Sequence, residues 1–310
     1  MASVFRFGVA ASSVRDPDEM VALARRAEEL GYSSLAMADH LDEQLAPLIA
    51  LTGVAAATST LRIATLVLAN DYRHPAVLAK EAATLDLMSG GRLELGIGAG
   101  WMLTDYEQAG LDHDRAGLRI ERLAESVTIL KQLFSGEPCQ FGGEHYRIAG
   151  LQGAPLPIQR PHPPLMIAGG GRKVLSLAGR EADIIGLNPG LAAGVIDERA
   201  GRSATPAATD EKLQWLREAA GGRFATLELQ TRVHLAMVSD DRQGTAEMLA
   251  GAMGLTVEEA LGTPHALIGT VDECVEQLHG WRDRWGISYI GIGADAMEAM
   301  APVVAQVAGT

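Results

Sequence analysis

Apolar residues recur along this chain in two alternating rhythms. Runs such as Phe5 to Val9, Ser34 to Ala38 and Arg62 to Leu68 have the length of strands, and each gives way to apolar positions three or four residues apart. The first helical stretch is well marked: Asp16 stands as N-cap, Pro17 opens it, Asp18 and Glu19 follow, and Gly31 lies just past its end. Met20, Leu23, Ala24, Ala27 and Leu30 form its inward stripe. A helix near Pro47 to Ala57 follows the second strand. After Pro75, Leu78, Ala82, Leu85 and Met88 predict another, broken by Gly90-Gly91 before the strand of Leu93, Leu95 and Ile97. Ile120, Leu123, Val127, Leu130 and Phe134 predict a fourth.

Residues 137–164, rich in Pro and Gly, leave this rhythm as an excursion. It resumes with a strand from Leu165 to Ala168, a helix from about Lys173 to Arg180, the strand Asp183 to Leu187 and a helix from Asp210 to Ala220. A strand within Leu227 to Val238, a helix from Val271 to Trp285, the strand Ile287 to Ile292 and a last helix complete the series. In that helix Asp295 and Glu298 have the spacing of a capping box. Segments 189–208 and 250–266 show no clear period.

About eight strand–helix units predict a closed α/β barrel of the (β/α)8, or TIM, type, as a single domain over 1–310 with the excursion inserted. An open sheet with a dinucleotide turn is the rival, and Gly96, Gly98 and Gly100 test it. The third glycine of G-x-G-x-x-G falls on Trp101 or Leu103, so that fingerprint is absent. The three glycines instead imply either backbone lying against a flat ligand or close packing on a neighbouring strand.

Composition narrows the partners. The 310 residues are 47% apolar, and 26 basic against 39 acidic residues leave a net charge of −13. That balance disfavours a nucleic-acid groove or an anionic membrane surface and leaves small molecules. Two isolated cysteines, Cys139 and Cys274, no leader segment and no long apolar run predict a reduced, cytoplasmic protein. Only Lys80, Lys131, Lys173 and Lys212 are lysine, and this bias toward arginine and alanine marks a GC-rich genome.

In such a barrel the C-terminal strand ends share one mouth. The candidates there are Asp39 and His40, Ala69-Asn70-Asp71, Ala99 to Thr104, Gly169 to Lys173, Asn188, and Gly293 to Asp295. A histidine directly after a strand suits proton transfer or a ring contact. Gly169-Gly170-Gly171-Arg172-Lys173 opens a helix straight after a strand, so free N–H groups, the helix dipole and two cations suit a phosphate. Asp112-His113-Asp114 has no companion ligand group, and no metal is assigned. A Schiff-base lysine is disfavoured, because Lys80, Lys131 and Lys212 fall within helices and Lys173 in the glycine turn. A cofactor-free isomerase or binding protein stays open, with Asp39 or Asp71 as its base.

Taken together, these residues resemble the bacterial luciferase-like superfamily of flavin and deazaflavin oxidoreductases. The likeness is carried by Glu28-Glu29-Leu30-Gly31-Tyr32, Asp39-His40, Arg73-His74-Pro75 with Leu78-Ala79-Lys80, and Leu85-Asp86 with Ser89-Gly90-Gly91-Arg92. Gly96 to Trp101, Gln159-Arg160-Pro161 and Gly169 to Gly171 extend it over nearly the whole chain. The resemblance implies a homodimeric barrel with a flavin-type ring in its mouth. It implies His40 near the reactive ring, Asp39 beside it, and a bulge at Ala69-Asn70, often with a non-prolyl cis peptide, behind the ring. Ala99 and Thr104 would line the cofactor, and Gly169, Gly170, Gly171 and Arg172 would take its phosphate. Sugar-phosphate dehydrogenases of the family have a glutamate where this chain has Trp101, which argues against glucose-phosphate oxidation and makes Trp101 an apolar ceiling. The forms around Ser89 and Gly98 look more like the coenzyme F420-dependent branch. The expected activity is hydride transfer between coenzyme F420 and a small molecule; the alternative is an FMN-dependent monooxygenase fed by a separate flavin reductase.

Overall fold

The computed structural model describes residues 4–11 and 13–310. Eight parallel strands close on themselves: β1 (Arg6–Ala10), β2 (Ser34–Met37), β3 (Arg62–Thr65), β4 (Leu93–Gly98), β5 (Leu165–Gly169), β6 (Ile184–Leu187), β7 (Glu228–Arg232) and β8 (Ile287–Gly293). Closure is completed by β8 against β1, from Arg6 opposite Tyr289 to Ala10 opposite Gly293. Helices lie between successive strands, among them Pro17–Glu29, Pro47–Ala57, Pro75–Met88, Ala116–Ser135, Arg172–Glu181, Pro206–Ala220 and Val271–Trp285. This is the (β/α)8 barrel that the alternation predicts. Strands β2, β4 and β6 are buried along their whole length, which is why they read as continuous apolar runs and not as alternating ones.

The N-terminal end of the barrel is plugged by charge. Glu94, 2% exposed, accepts from Arg6 and Arg62, while Arg6 also pairs with Glu228 and lies 3.6 Å from the Tyr289 ring centre. Chemistry is therefore left to the opposite end.

The predicted strand Arg62 to Leu68 is interrupted. Strand β3 stops at Thr65, the peptide between Leu66 and Val67 is cis, and pairing with β4 resumes at the two-residue strand Leu68–Ala69. Ala64 faces Glu94 and Leu68 faces Ile97, so four steps on one strand match three on the other. That is a bulge, and it lies upstream of the Ala69-Asn70 position expected for it. Thr65 Oγ1 bridges the gap, donating to the Gly96 carbonyl at 2.8 Å and accepting from the Gly96 N–H at 2.7 Å. A Cβ on Gly96 would stand 1.9 Å from the Thr65 carbonyl oxygen, and one on Gly98 2.7 Å from a Val67 methyl. These glycines make room for the bulge.

Other expectations are corrected by the packing. Asp295 and Glu298 form no capping box: the last helix, Met297–Val307, starts after a 3-10 turn at Ala294–Ala296, and Glu298 pairs with Arg26. Capping boxes occur instead at Thr256 with Glu259 and at Thr270 with Glu273. The aperiodic stretch 250–266 contains the helix Val257–Gly262, and 189–208 contains Glu198–Arg202. Met88 is exposed, so it is not part of the core stripe of its helix. The excursion is an antiparallel hairpin, Pro138–Gly142 with Arg147–Gln152. Its return is anchored on buried Asp86, which accepts from the Ile158 and Gln159 N–H groups and from Gln159 Nε2.

Two glycine substitutions should behave oppositely. Gly96→Ala forces backbone apart and is expected to cost about 3 kcal/mol or more. Gly280→Ala, in the exposed middle of a helix with nothing near the new Cβ, should gain about 0.5–1 kcal/mol. Urea unfolding of both variants measures the contrast.

Candidate active site

The bulge shapes a cavity of about 430 Å3 at the C-terminal ends of β2 to β6. Leu66, Val67, Leu68, Trp101, Met102, Ile120 and Leu191 give it apolar walls, and its size suits a flat ring system. Asp39, His40, Ala69, Ala99, Trp101, Gly169, Gly170, Gly171 and Arg172 all line it, as the sequence predicts. Seven predicted residues do not: Asn70, Asp71, Leu103, Thr104, Gly293, Ala294 and Asp295. Thr104 is exposed on the helix Leu103–Ala109, and Asn70 is buried beside the cavity, its Nδ2 donating to Tyr146 and its Oδ1 without a partner.

His40 is the mouth's polar centre. Its Nδ1 bonds to Asp105 Oδ2 at 2.8 Å, and Trp101 packs edge-on against the imidazole at 5.8 Å between ring centres. Tyr72 also donates to the Asp105 carboxylate, at 3.3 Å. Burial and the charge on Asp105 push the Tyr72 phenol well above its ordinary value, so it stays protonated. With Nδ1 spent on Asp105, Nε2 is the nitrogen offered to a bound molecule. His265, buried and bonded to the Arg232 carbonyl, is pushed down to about 3 by burial and by Lys212, and stays neutral.

The neighbouring carboxylates are committed elsewhere. Asp39 is gripped by both Arg73 guanidinium nitrogens and accepts the Ala69 N–H at 3.0 Å. It clamps the residues after the bulge while lining the cavity beside His40. Asp71 is held by Arg122 at 2.9 and 3.0 Å and by the Tyr106 hydroxyl at 3.0 Å. Neither carboxylate is a free base, so the cofactor-free isomerase loses its catalytic group.

At the far end of the cavity, the helix Arg172–Glu181 begins at Gly171 without a side-chain cap. A Cβ on Gly171 would meet nothing within 4 Å, whereas one on Gly170 would strike the Pro189 backbone at 2.4 Å. Gly171 thus exposes backbone, and Gly170 admits the passing chain. The Arg172 guanidinium reaches toward Glu218 at 3.2 Å. Opposite, Arg119 is 2% exposed, and its guanidinium donates to the carbonyls of Ala99, Gly100 and Asp114 and meets His113 Nε2.

Asp105, Arg119 and Tyr72 are the site residues that sequence reasoning missed. Asp105 had a signal: it lies one helical turn past Trp101, on a helix that starts at the mouth. The loop Asp112-His113-Asp114 is not freely solvated, since Arg119 and Arg122 tie it down.

A profile of the luciferase-like monooxygenase family matches residues 1–288, and the chain belongs to that family. Among curated relatives it is 35% identical to the F420-dependent glucose-6-phosphate dehydrogenase of Microbacterium testaceum over 187 residues, 57% of this chain and 55% of that one. It is 34% identical to the F420-dependent hydroxymycolic acid dehydrogenase of Mycobacterium tuberculosis over 175 residues, 54% of this chain and 48% of that one. The chain therefore spans about half the length of the curated relatives it matches. The solved F420-dependent tetrahydromethanopterin reductase of Methanopyrus kandleri superposes with a TM-score of 0.79 over 99% of both chains at 17% identity, a likeness of fold.

One wall of the site carries a pH-dependent contact. Lys212, 2% exposed, donates to the carbonyls of Asn188 and Ser203 at 2.8 and 2.6 Å, and burial pushes its ammonium down to about 8. Between about pH 8 and the ordinary 10.5 the folded state holds fewer protons than the unfolded, so stability rises with pH across that window. Relative to Lys212→Met, the unchanged protein should gain roughly 1–3 kcal/mol from pH 7.5 to 10.5 in denaturant unfolding. A flat difference would contradict the assignment.

Proposed function

We propose that the protein is an oxidoreductase that transfers a hydride between coenzyme F420 and a small organic molecule. The observation that carries the reading is the His40–Asp105 pair, set in an apolar cavity whose other end is built for an anion. The F420-dependent activities of the curated relatives support it. The residues fit such a cofactor: Leu66 to Ala69 offer a flat apolar wall, Ala99 lies across the cavity, and the Gly169–Gly171 turn with the start of its helix offers donors to a phosphate. When bound, the deazaflavin ring would give or take the hydride.

The chain's own residues manage the proton. Nδ1–H of His40 donates to Asp105, so Nε2 can take a proton from a hydroxyl or, once protonated, return one to a carbonyl or unsaturated acceptor. Asp105 steadies the imidazolium that forms. Trp101 holds the ring edge-on, and the apolar walls exclude water. Trp101 also places indole where a second carboxylate would be needed for a sugar phosphate, so the substrate is proposed to be a less polar molecule.

The family's description favours one further reading, an FMN-dependent monooxygenase served by a separate reductase. Spectral titration separates the two: tight binding of coenzyme F420 supports the first reading, and binding of FMN alone the second. His40→Ala and Asp105→Asn should each lower kcat by about a hundredfold while changing cofactor affinity by no more than a few-fold. Unchanged turnover in His40→Ala would remove it from the mechanism.

We further propose a homodimer acting in the cytoplasm. Two buried free cysteines, Cys139 and Cys274, suit a reducing compartment, and no helix among the described residues is long and apolar enough to cross a membrane. A groove between the helices Pro47–Ala57 and Pro75–Met88 exposes Ile49, Val77 and Met88. Lys80 and Glu81 lie in the same groove, so a two-fold partner can set opposite charges together. Ile49→Glu with Val77→Glu should convert a dimer to a folded monomer in light scattering; a monomeric starting protein would refute the interface.

A further inference from the structure

Strand β4 ends at Gly98, and the residues that follow it, Ala99, Gly100 and Trp101, line the cavity outside the strand pairing. The buried Arg119 guanidinium holds them. It donates to the carbonyls of Ala99 at 3.2 Å and Gly100 at 3.4 Å, and to the carbonyl of Asp114. Its remaining partner is His113 Nε2, 2.8 Å from Nη1. The Tyr106 ring packs edge-on against the His113 imidazole, 4.8 Å between ring centres. Gly100 leaves room for the same tyrosine, because a Cβ there would stand 1.9 Å from its hydroxyl oxygen.

An arginine N–H can donate to an imidazole nitrogen only when that nitrogen carries no proton, so His113 is neutral here with its proton on Nδ1. Of Arg119's partners it alone can change charge near neutral pH. A second proton on the ring would remove an acceptor from Arg119 and set two cations 2.8 Å apart. Burial and Arg119 hold the imidazole below its ordinary 6.5, while the Trp101 backbone, Asp71 and Glu107 act the other way. His113 does not line the cavity, so it reaches the site only through the loop that Arg119 holds.

We infer that His113 is a positioning residue: in its neutral form it completes the Arg119 clamp on Ala99 to Trp101 and so sets the Trp101 indole edge-on against His40. The indole and the His40 ring lie 5.8 Å apart between centres, so a shift of this loop moves the wall beside the imidazole that handles the proton. The clamp is closed above the His113 titration and opens as pH falls through it. The loop Asp112-His113-Asp114 thereby gains a role that needs no metal.

Fluorine NMR of the full chain labelled with 5-fluorotryptophan tests it, with Trp101→Phe identifying the Trp101 signal. That signal should shift as pH falls through a midpoint below 6.5, while those of Trp215, Trp281 and Trp285 stay in place and show an intact fold. Because His40 touches the same indole, two variants separate the sources. The shift should vanish in His113→Gln, whose amide can accept from Arg119 without titrating, and persist in His40→Gln. In His113→Ala the signal should be displaced already at neutral pH. Any other pattern overturns the clamp. Its effect on turnover rests on the hydride-transfer reading above: His113→Ala should lower kcat about tenfold with KM little changed, and His113→Gln should restore most of it. Unchanged kcat in His113→Ala overturns the positioning role. The expected fluorine pattern in a protein that does not bind coenzyme F420 refutes that reading and leaves the clamp standing.

Discussion

The structure turns on the register slip between β3 and β4. Gly96 and Gly98 remove the side chains that would hold the two strands in step, and the Thr65 hydroxyl replaces the lost ladder bonds by bonding to both backbone groups of Gly96. The extra residue is thereby thrown into the mouth, and Leu66 to Ala69 become a cavity wall. Asp39 fastens the far side by holding the Ala69 N–H and Arg73 at once. A change at any of these points would move the wall on which a bound ring must rest.

Electrostatics then divides the cavity into two ends. At one end His40 and Asp105 form a hydrogen-bonded pair packed against Trp101, and at the other two helix starts, Arg119, Arg172 and Lys173 gather positive charge. Aspartates at the mouth that look free in sequence are consumed by arginines, Asp39 by Arg73 and Asp71 by Arg122. The polar chemistry of the site is thus confined to one imidazole, which suits a reaction in which a cofactor moves the electrons and the protein moves one proton.

Much of this was legible in the chain. Strand and helix order, the excursion and most mouth residues follow from periodicity and from residues that directly succeed strands. The bulge was not, because β-branched and apolar residues run unbroken from Ile63 to Leu68 and the slip depends on what stands across from them. The opposed glycines were visible, but whether they faced a ligand or a neighbouring strand is a tertiary question. Arg119 was hidden for the same reason, as a helical residue whose partner carbonyl lies 20 positions away, and the partner of Asp105, 65 positions away, was hidden too. The signature residues Asp86, Arg92 and Gln159 are scaffolding. Asp86 and Gln159 lash the hairpin's return to the barrel, and Arg92 donates to the carbonyls of Ala55 and Leu61.

The most direct test of the account is a crystal structure of the protein with coenzyme F420. The account predicts the ring in contact with Leu66 to Leu68, His40 within hydrogen-bonding reach of the substrate position, and the phosphate on the N–H groups at Gly171 to Lys173. A cofactor bound elsewhere, or with its phosphate away from that turn, would contradict it.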